Sequence, residues 1–264
     1  LQFLEAVSKD ADVALGRRVV VIGGGNAAID SARSALRKGS QATVVYRRER
    51  KDMPAIVEET DAAEAEGAEY VFLATPHRII GDRDGRVKAL EAVRTRLGEF
   101  DSSGRRKPIS TEEIVRVDCD TVILAVGETV DPDFGRATGL KTGKSNVIEV
   151  DRYTLETSRS KFYAGGDAIS GASNVSNAMG YGKKAARLID ERLMGVRRFE
   201  DLWPDFDYDQ EPPEHTSDCR RHHVKEIPAA IRVNNFEEAV CGFPPPDALA
   251  EAGRCLRCDI KKGD

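Results

Sequence analysis

The stretch VVIGGGNAAID, Val20 to Asp30, constrains the fold of this chain more than any other. It follows an apolar run, RVVVI, that reads as a buried strand. It then opens a helix in which Ile29, Ala32 and Leu36 recur at helical spacing and Gly39 marks the stop. Asn26 stands where a helix N-cap is expected. Strand, glycine turn and helix in that order are the context of a dinucleotide-binding fingerprint, Gly23-x-Gly25-x-x-Ala28. Gly23 permits the tight turn, and Gly25 lets the backbone approach a pyrophosphate. Ala28, in place of a third glycine, packs the helix on the strand. The N–H groups of the first turn, at Asn26 and Ala27, carry the partial positive charge of the helix end toward phosphate. The alternative reading is a glycine-rich turn with no ligand.

The pattern continues as an α/β fold. ATVVY is a second strand, Pro54 suits the first turn of a second helix ending near Gly67, and EYVFLA is a third strand. Such alternation implies a parallel, doubly wound sheet of Rossmann type. From Val87 to Val117 the alternation suits an antiparallel meander around a turn at Asp101 to Gly104, after which DTVILAVG is again a buried strand. Residues 1–125 therefore read as one NAD(P)-binding domain and 126–195 as a second unit. Residues 196–264 read as an irregular tail: seven of the 11 prolines lie between Pro204 and Pro246. One short helix is expected in that tail, from Asp247 to about Leu256.

The companion stretch VVYRRER, from Val44, bears on which nucleotide binds. A carboxylate at the end of the second strand would accept hydrogen bonds from a ribose diol and repel a 2′-phosphate. The sequence has Arg47 and Arg48 there, and the planar guanidinium fork suits phosphate oxygens. The expected preference is NADP over NAD. The alternative is a run of solvated charges, since Arg50 and Lys51 stand alongside.

Composition limits the partners. A net charge of −5 argues against general affinity for nucleic acid or anionic membranes, and no apolar run is long enough to span a bilayer. No secretion signal is visible. Five cysteines, an odd number, point to a reducing, cytoplasmic compartment rather than a disulfide scaffold. The chain opens on Leu1 and LQFLEAVSKD resembles the interior of a polypeptide, so a larger protein is expected around it.

A second informative block is FYAGGDA followed by SNVSNAMGYGKKAA. Asp167, after Gly166, is placed to hydrogen-bond a polyol chain. The helix start at Asn174 and Val175 offers N–H groups to a flavin carbonyl that gains charge on reduction.

Taken in order, VVVIGGGNAAIDSAR, VVYRRERKDMPA, DTVILAVGE and FYAGGDAISGASNVSNAMGYGKKAA resemble the flavoproteins related to the small subunit of glutamate synthase. These lie within the pyridine nucleotide–disulfide oxidoreductase class. The resemblance runs from Leu1 to about Gly195, and EAGRCLRCD near the end resembles iron–sulfur-linked relatives. It implies a nicotinamide domain inserted in a flavin domain, so that 126–195 is the C-terminal part of an FAD-binding Rossmann-like domain. It further implies that Asp167 and the Val175 region touch the flavin, and that Gly127 and Glu128 lie near the nicotinamide. The family's earlier glycine fingerprint for the ADP half of FAD, and its cysteine-rich segment for [4Fe–4S] clusters, have no counterpart here. They are expected in a preceding segment or a partner electron-transfer subunit. On this reading the chain alone holds NADPH and little FAD.

Cys255-x-x-Cys258 admits three readings: a redox disulfide, two of the usually four thiolates of a cluster, or two unligated cysteines. Cys219 with His222 or His223 has a spacing compatible with zinc, although the histidine pair reads more simply as surface. Cys119 reads as core and His77 as structural. No catalytic acid or base stands out, as befits hydride chemistry carried by cofactors. The leading reading is part of an NADPH-dependent flavin oxidoreductase that passes electrons to iron–sulfur clusters or a partner. The competing one is a non-catalytic nucleotide-binding or docking module.

Overall fold

A computed structural model describes residues 1–100, 104–195 and 221–253. These divide into two compact units. The first comprises residues 1–126 with 221–251, and the second begins at Gly127.

Four strands form the parallel sheet of the first unit: β1 (Arg18–Ile22), β2 (Gln41–Tyr46), β3 (Glu69–Phe72) and β7 (Thr121–Leu124), in the order β3-β2-β1-β7. Val21 pairs with Val44 on one side and Ile123 on the other. The run Val19–Ile22 is apolar without alternation because both of its faces are covered. Val19 and Val21 meet Ala28, Ala32 and Ala35 of helix α2 (Asn26–Arg37). Val20 and Ile22 meet Ala74, Leu90, Ala92 and Cys119 of the antiparallel layer. The alanines of α2 let the helix lie close to the sheet. Ile29, on its flank, packs with Ala55, Ala63 and Ala68 against helix α3 (Val57–Ala65). A short helix α1 (Gln2–Ser8) precedes the sheet.

The antiparallel layer is a three-stranded sheet, β4 (Ala74–Gly81), β5 (Val87–Phe100) and β6 (Arg106–Asp118). It is larger than the sequence pattern indicates. The run EYVFLA is two elements: β3 stops at Phe72, Leu73 takes a left-handed φ of 54°, and β4 begins at Ala74. Pro76 is tolerated in β4 because that strand is an edge. One further expectation is corrected. Pro54 precedes α3 by three positions rather than opening it, because the chain first makes a 3-10 turn at Arg50–Asp52. Asp101 to Ser103, in the expected hairpin turn, lie outside the described residues.

The tail residues 221–251 belong to the first unit and carry helices α7 (Ala229–Arg232) and α8 (Pro245–Gly253), the latter starting two residues before the expected Asp247. Residues 196–220 and 254–264, with Cys219, Cys255 and Cys258, lie outside the described residues.

In the second unit, helix α4 (Pro132–Thr138) starts on Asp131, whose carboxylate accepts from the Asp133 N–H. Helix α5 (Asp167–Ser170) and the long α6 (Val175–Met194) follow. The run SKFYAGGDAIS predicts a strand leading into the glycine loop. Among the described residues it makes only isolated bridges, such as Glu156 with Tyr163, since no neighbouring strand continues the ladder. Gly195, at φ 69°, closes α6.

Candidate functional site

The glycine turn lies at the carboxyl end of β1. In a sheet ordered β3-β2-β1-β7 this is where the connections diverge, and ligands of open α/β sheets bind there. Its three glycines are present for different reasons. Gly23 has φ 149°, and a Cβ there would stand 2.3 Å from the Ala125 carbonyl oxygen. At Gly24 a Cβ would lie 2.4 Å from the Tyr46 ring, which is held by a bond from its hydroxyl to the Asp52 carbonyl (2.8 Å). Both are demanded by packing. Gly25 is not: its φ is −94°, and the nearest atom to an added Cβ is Pro54 Cγ at 3.9 Å. The space above Gly25 is open, which is what close approach of a pyrophosphate requires.

Gly25 is itself the N-cap of α2, with no side chain capping it. Asn26, expected as the cap, is the first helical residue; its Oδ1 accepts from the Ile56 N–H (2.9 Å) and so ties the turn to the segment before α3. The Ala55 N–H donates to the Gly24 carbonyl (3.1 Å) beside it. Among the described residues, nothing accepts from the N–H groups of Gly25, Asn26 and Ala27. These orphan donors of the first turn form a backbone cradle for an anion. Ala28 is fully buried beneath it.

The two arginines after β2 diverge. Arg47 is exposed, and no carboxylate among the described residues pairs with it. Arg48 is 3% exposed, and its Nε donates to the Arg106 carbonyl oxygen (2.6 Å) at the start of β6. A side chain committed inside the fold is not placed to present its fork to a ligand, which leaves Arg47 as the exposed arginine of the pair. The neighbouring charges are accounted for: Arg50 bonds Asp61 and Glu64, each at 2.7 Å, and Lys51 pairs with Glu49.

In the second unit, Gly165 and Gly166 bring the chain against α6. A Cβ on Gly165 would touch Tyr181 Cβ at 3.0 Å, and Gly166 adopts φ 61°. Asp167 follows as the exposed first residue of α5. Asn174 is the N-cap of α6, its Oδ1 accepting from the Asn177 N–H (2.8 Å). The Asn174 side chain is thereby occupied. Val175 is 75% exposed, and the N–H groups of Val175 and Ser176 have no acceptor among the described residues. Gly127, at φ 104° with nothing within 4 Å of an added Cβ, and the exposed Glu128 follow β7 after two intervening residues.

The remaining candidates resolve simply. Cys119 is buried in the core beside Leu90, and burial pushes its thiol up. His77 is exposed at a bulge in β4. The His222 N–H donates to Glu251. No group of three or more His, Cys, Asp or Glu is placed to hold a metal among the described residues, and no described helix is long and apolar enough to cross a membrane.

A buried ionic cluster escaped the sequence reading. The Glu66 carboxylate has no exposure, and Arg33 (2.7 Å), Arg37 (3.6 Å) and the tail's Arg232 (2.7 Å) surround it. Arg33 also pairs with Glu59, and Arg232 with Glu226. The spacing of Arg33 and Arg37, one helical turn apart, was the available signal, but nothing local marked Glu66 or Arg232 as their partners.

The family model described as pyridine nucleotide-disulphide oxidoreductase matches residues 2–182. The NADP(+)-dependent formate dehydrogenase subunit beta of Moorella thermoacetica is 38% identical over 98% of this chain and 38% of its own length. The NADPH-Fe(3+) oxidoreductase subunit beta of Geobacter sulfurreducens is 35% identical over 98% of this chain and 44% of its own. The glutamate synthase [NADPH] small chain of Halomonas elongata is 36% identical over 67% of this chain and 39% of its own. This chain thus spans less than half the length of those relatives. Among solved structures, Lactococcus lactis thioredoxin reductase superposes with a TM-score of 0.56 at 21% identity, covering 72% of this chain and 57% of that one. Mycobacterium tuberculosis FprA in complex with NADPH gives 0.51 at 20%, over 68% and 54%. At those identities the likeness is one of fold.

Proposed function

The chain belongs to the pyridine nucleotide-disulphide oxidoreductase family, and from that premise we propose that it is the nicotinamide-nucleotide portion of an NADPH-dependent electron-transfer flavoprotein. The observation that carries this is the open cradle at the start of α2: among the described residues, three N–H groups have no acceptor and, its chain neighbours aside, no atom lies closer than 3.9 Å to the Cβ position of Gly25. A dinucleotide pyrophosphate fits it in charge and in shape. Arg47 is the residue proposed to hold the 2′-phosphate and to favour NADPH over NADH.

When bound, the nicotinamide donates a hydride and the flavin accepts it. Every other contribution is one of binding and orientation. Gly127 and Glu128 are proposed to line the nicotinamide end. Asp167 is proposed to accept from the flavin's ribityl hydroxyls, and the free N–H groups at Val175 and Ser176 to stabilise charge on its ring. The remaining FAD contacts are assigned to other parts of the whole protein or to a partner. Two of the relatives are named as beta subunits, which supports electron delivery to a partner subunit. Cys255 and Cys258 are proposed as thiolates of an iron–sulfur cluster completed by other cysteines.

The test is a titration of the chain with NADPH and NADH, followed by nicotinamide fluorescence. Gly25→Val should abolish NADPH binding and leave the circular dichroism spectrum intact, because the added methyls meet ligand space and not protein. An unchanged titration curve would return the turn to a purely structural role.

A further inference from the structure

The antiparallel sheet converges on Arg47 and Arg48 through three hydrogen bonds, two to their backbone carbonyls and one from the Arg48 side chain. Thr95 Oγ1 donates to the Arg47 carbonyl (2.8 Å), the Leu73 N–H donates to the Arg48 carbonyl (3.2 Å), and Arg48 Nε donates to the Arg106 carbonyl (2.6 Å). Each strand of that sheet contributes. Leu73 is the left-handed residue leading into β4, Thr95 is in β5, and Arg106 opens β6.

Two irregularities create this arrangement. The pairing of β5 with β6 shifts register between Val93, opposite Ile114, and Thr95, opposite Ser110, so that β6 carries the extra residues of the irregularity. Leu73 carries a backbone conformation that a branched side chain adopts at a cost. That conformation is held by both of its polar groups: its N–H bonds Arg48, and its carbonyl accepts from the Thr95 N–H (2.7 Å). Thr95 is 5% exposed and Arg48 3%, so the bonds are shielded from water.

We infer that Arg48, Thr95 and Leu73 form a bracket that fixes where Arg47 presents its guanidinium, making Arg48 and Thr95 positioning residues for nucleotide selection. This rests on the proposed NADPH preference. An exposed arginine on a free loop would lose much of a phosphate contact to side-chain and backbone disorder. One whose carbonyl is clamped from behind keeps its fork in place, so the sheet inserted between β3 and β7 acts as a specificity support.

The experiment measures dissociation constants of the full chain for NADPH and NADH in Arg47→Ala, Thr95→Val, Arg48→Met and the two doubles that combine Arg47→Ala with each of the others. Arg47→Ala should collapse the ratio of NADPH to NADH affinity. Thr95→Val and Arg48→Met should each lower it about two- to ten-fold, the effect of one hydrogen bond, with NADH binding unchanged. In the Arg47→Ala background neither should lower the ratio further, because both act through Arg47. Thr95→Ser, which keeps the hydroxyl, should retain the original ratio. If Arg47→Ala leaves the ratio intact, the proposed phosphate role fails and the bracket falls with it. If Arg47→Ala collapses the ratio but Thr95→Val and Arg48→Met do not move it, the phosphate role stands and the bracket is refuted. Equal loss of both nucleotides in those variants, or a full effect in the Arg47→Ala background, refutes it also.

Discussion

Replacing Glu66 by glutamine removes one negative charge and little volume from the centre of the buried cluster. Arg33 and Arg232 retain Glu59 and Glu226 as partners, whereas Arg37 loses the one carboxylate that pairs with it among the described residues. Breaking a buried ion pair from one side typically costs about 3–5 kcal/mol. The two surviving pairs place Glu66→Gln near the lower end, about 3 kcal/mol. For a chain of this size that is a fall in Tm of about 6–12 °C. The acid limb should change as well. Burial alone would push the Glu66 carboxyl up, but the hydrogen bonds from Arg33 and the charges of Arg33, Arg37 and Arg232 outweigh it and hold the group below its ordinary value. A carboxylate depressed in the folded state contributes stability that is present above its unfolded value and is lost as pH falls through the folded one. Thermal unfolding followed by circular dichroism from about pH 7 to about pH 3 reads both effects. The original chain should lose stability more steeply than Glu66→Gln as the pH drops below about 4.5. A Tm change under about 2 °C at neutral pH, or parallel acid limbs, would refute the reasoning.

Gly23→Ala should destabilise the first unit by at least about 2 kcal/mol, through steric overlap at the Ala125 carbonyl and a forced positive φ, and urea unfolding measures this. Gly25→Ala should leave urea unfolding within about 1 kcal/mol of the original while weakening NADPH. In the whole flavoprotein, Asp167→Ala should weaken FAD about ten-fold or more by removing a charge-assisted bond, read by flavin release on dilution. If Cys255 and Cys258 hold a cluster, anaerobically purified whole protein should carry iron and sulfide that a double serine variant lacks. Equal iron in both would leave the pair as unligated thiols.

What was legible in the sequence was what is local. The β1–turn–α2 unit declares itself because an apolar run covered on both faces, a glycine turn and a helical repeat are contiguous. Gly195 is equally readable at the end of α6. What was not legible depends on distant partners. Leu73 breaks an apolar run without a glycine or proline to mark it, so β4 went unseen; its conformation is held by Arg48 and Thr95. Arg47 and Arg48 look equivalent as neighbours, and burial with the bond from Arg48 Nε to the Arg106 carbonyl sets them apart. Asn26 has the composition of a cap, yet Ile56 claims its side chain. Glu66 reads as one more surface acid until a tail residue, Arg232, closes over it.

The most direct measurement is an amide NMR titration of the isotopically labelled chain with NADPH. Orphan N–H groups that donate to a pyrophosphate should shift downfield and saturate together, so Gly25, Asn26 and Ala27 should show the largest backbone changes. The Arg47 side-chain Nε–H should move with NADPH and stay still with NADH. Saturable NADPH binding that leaves the Gly25, Asn26 and Ala27 amides in place would contradict the assignment of the nucleotide site.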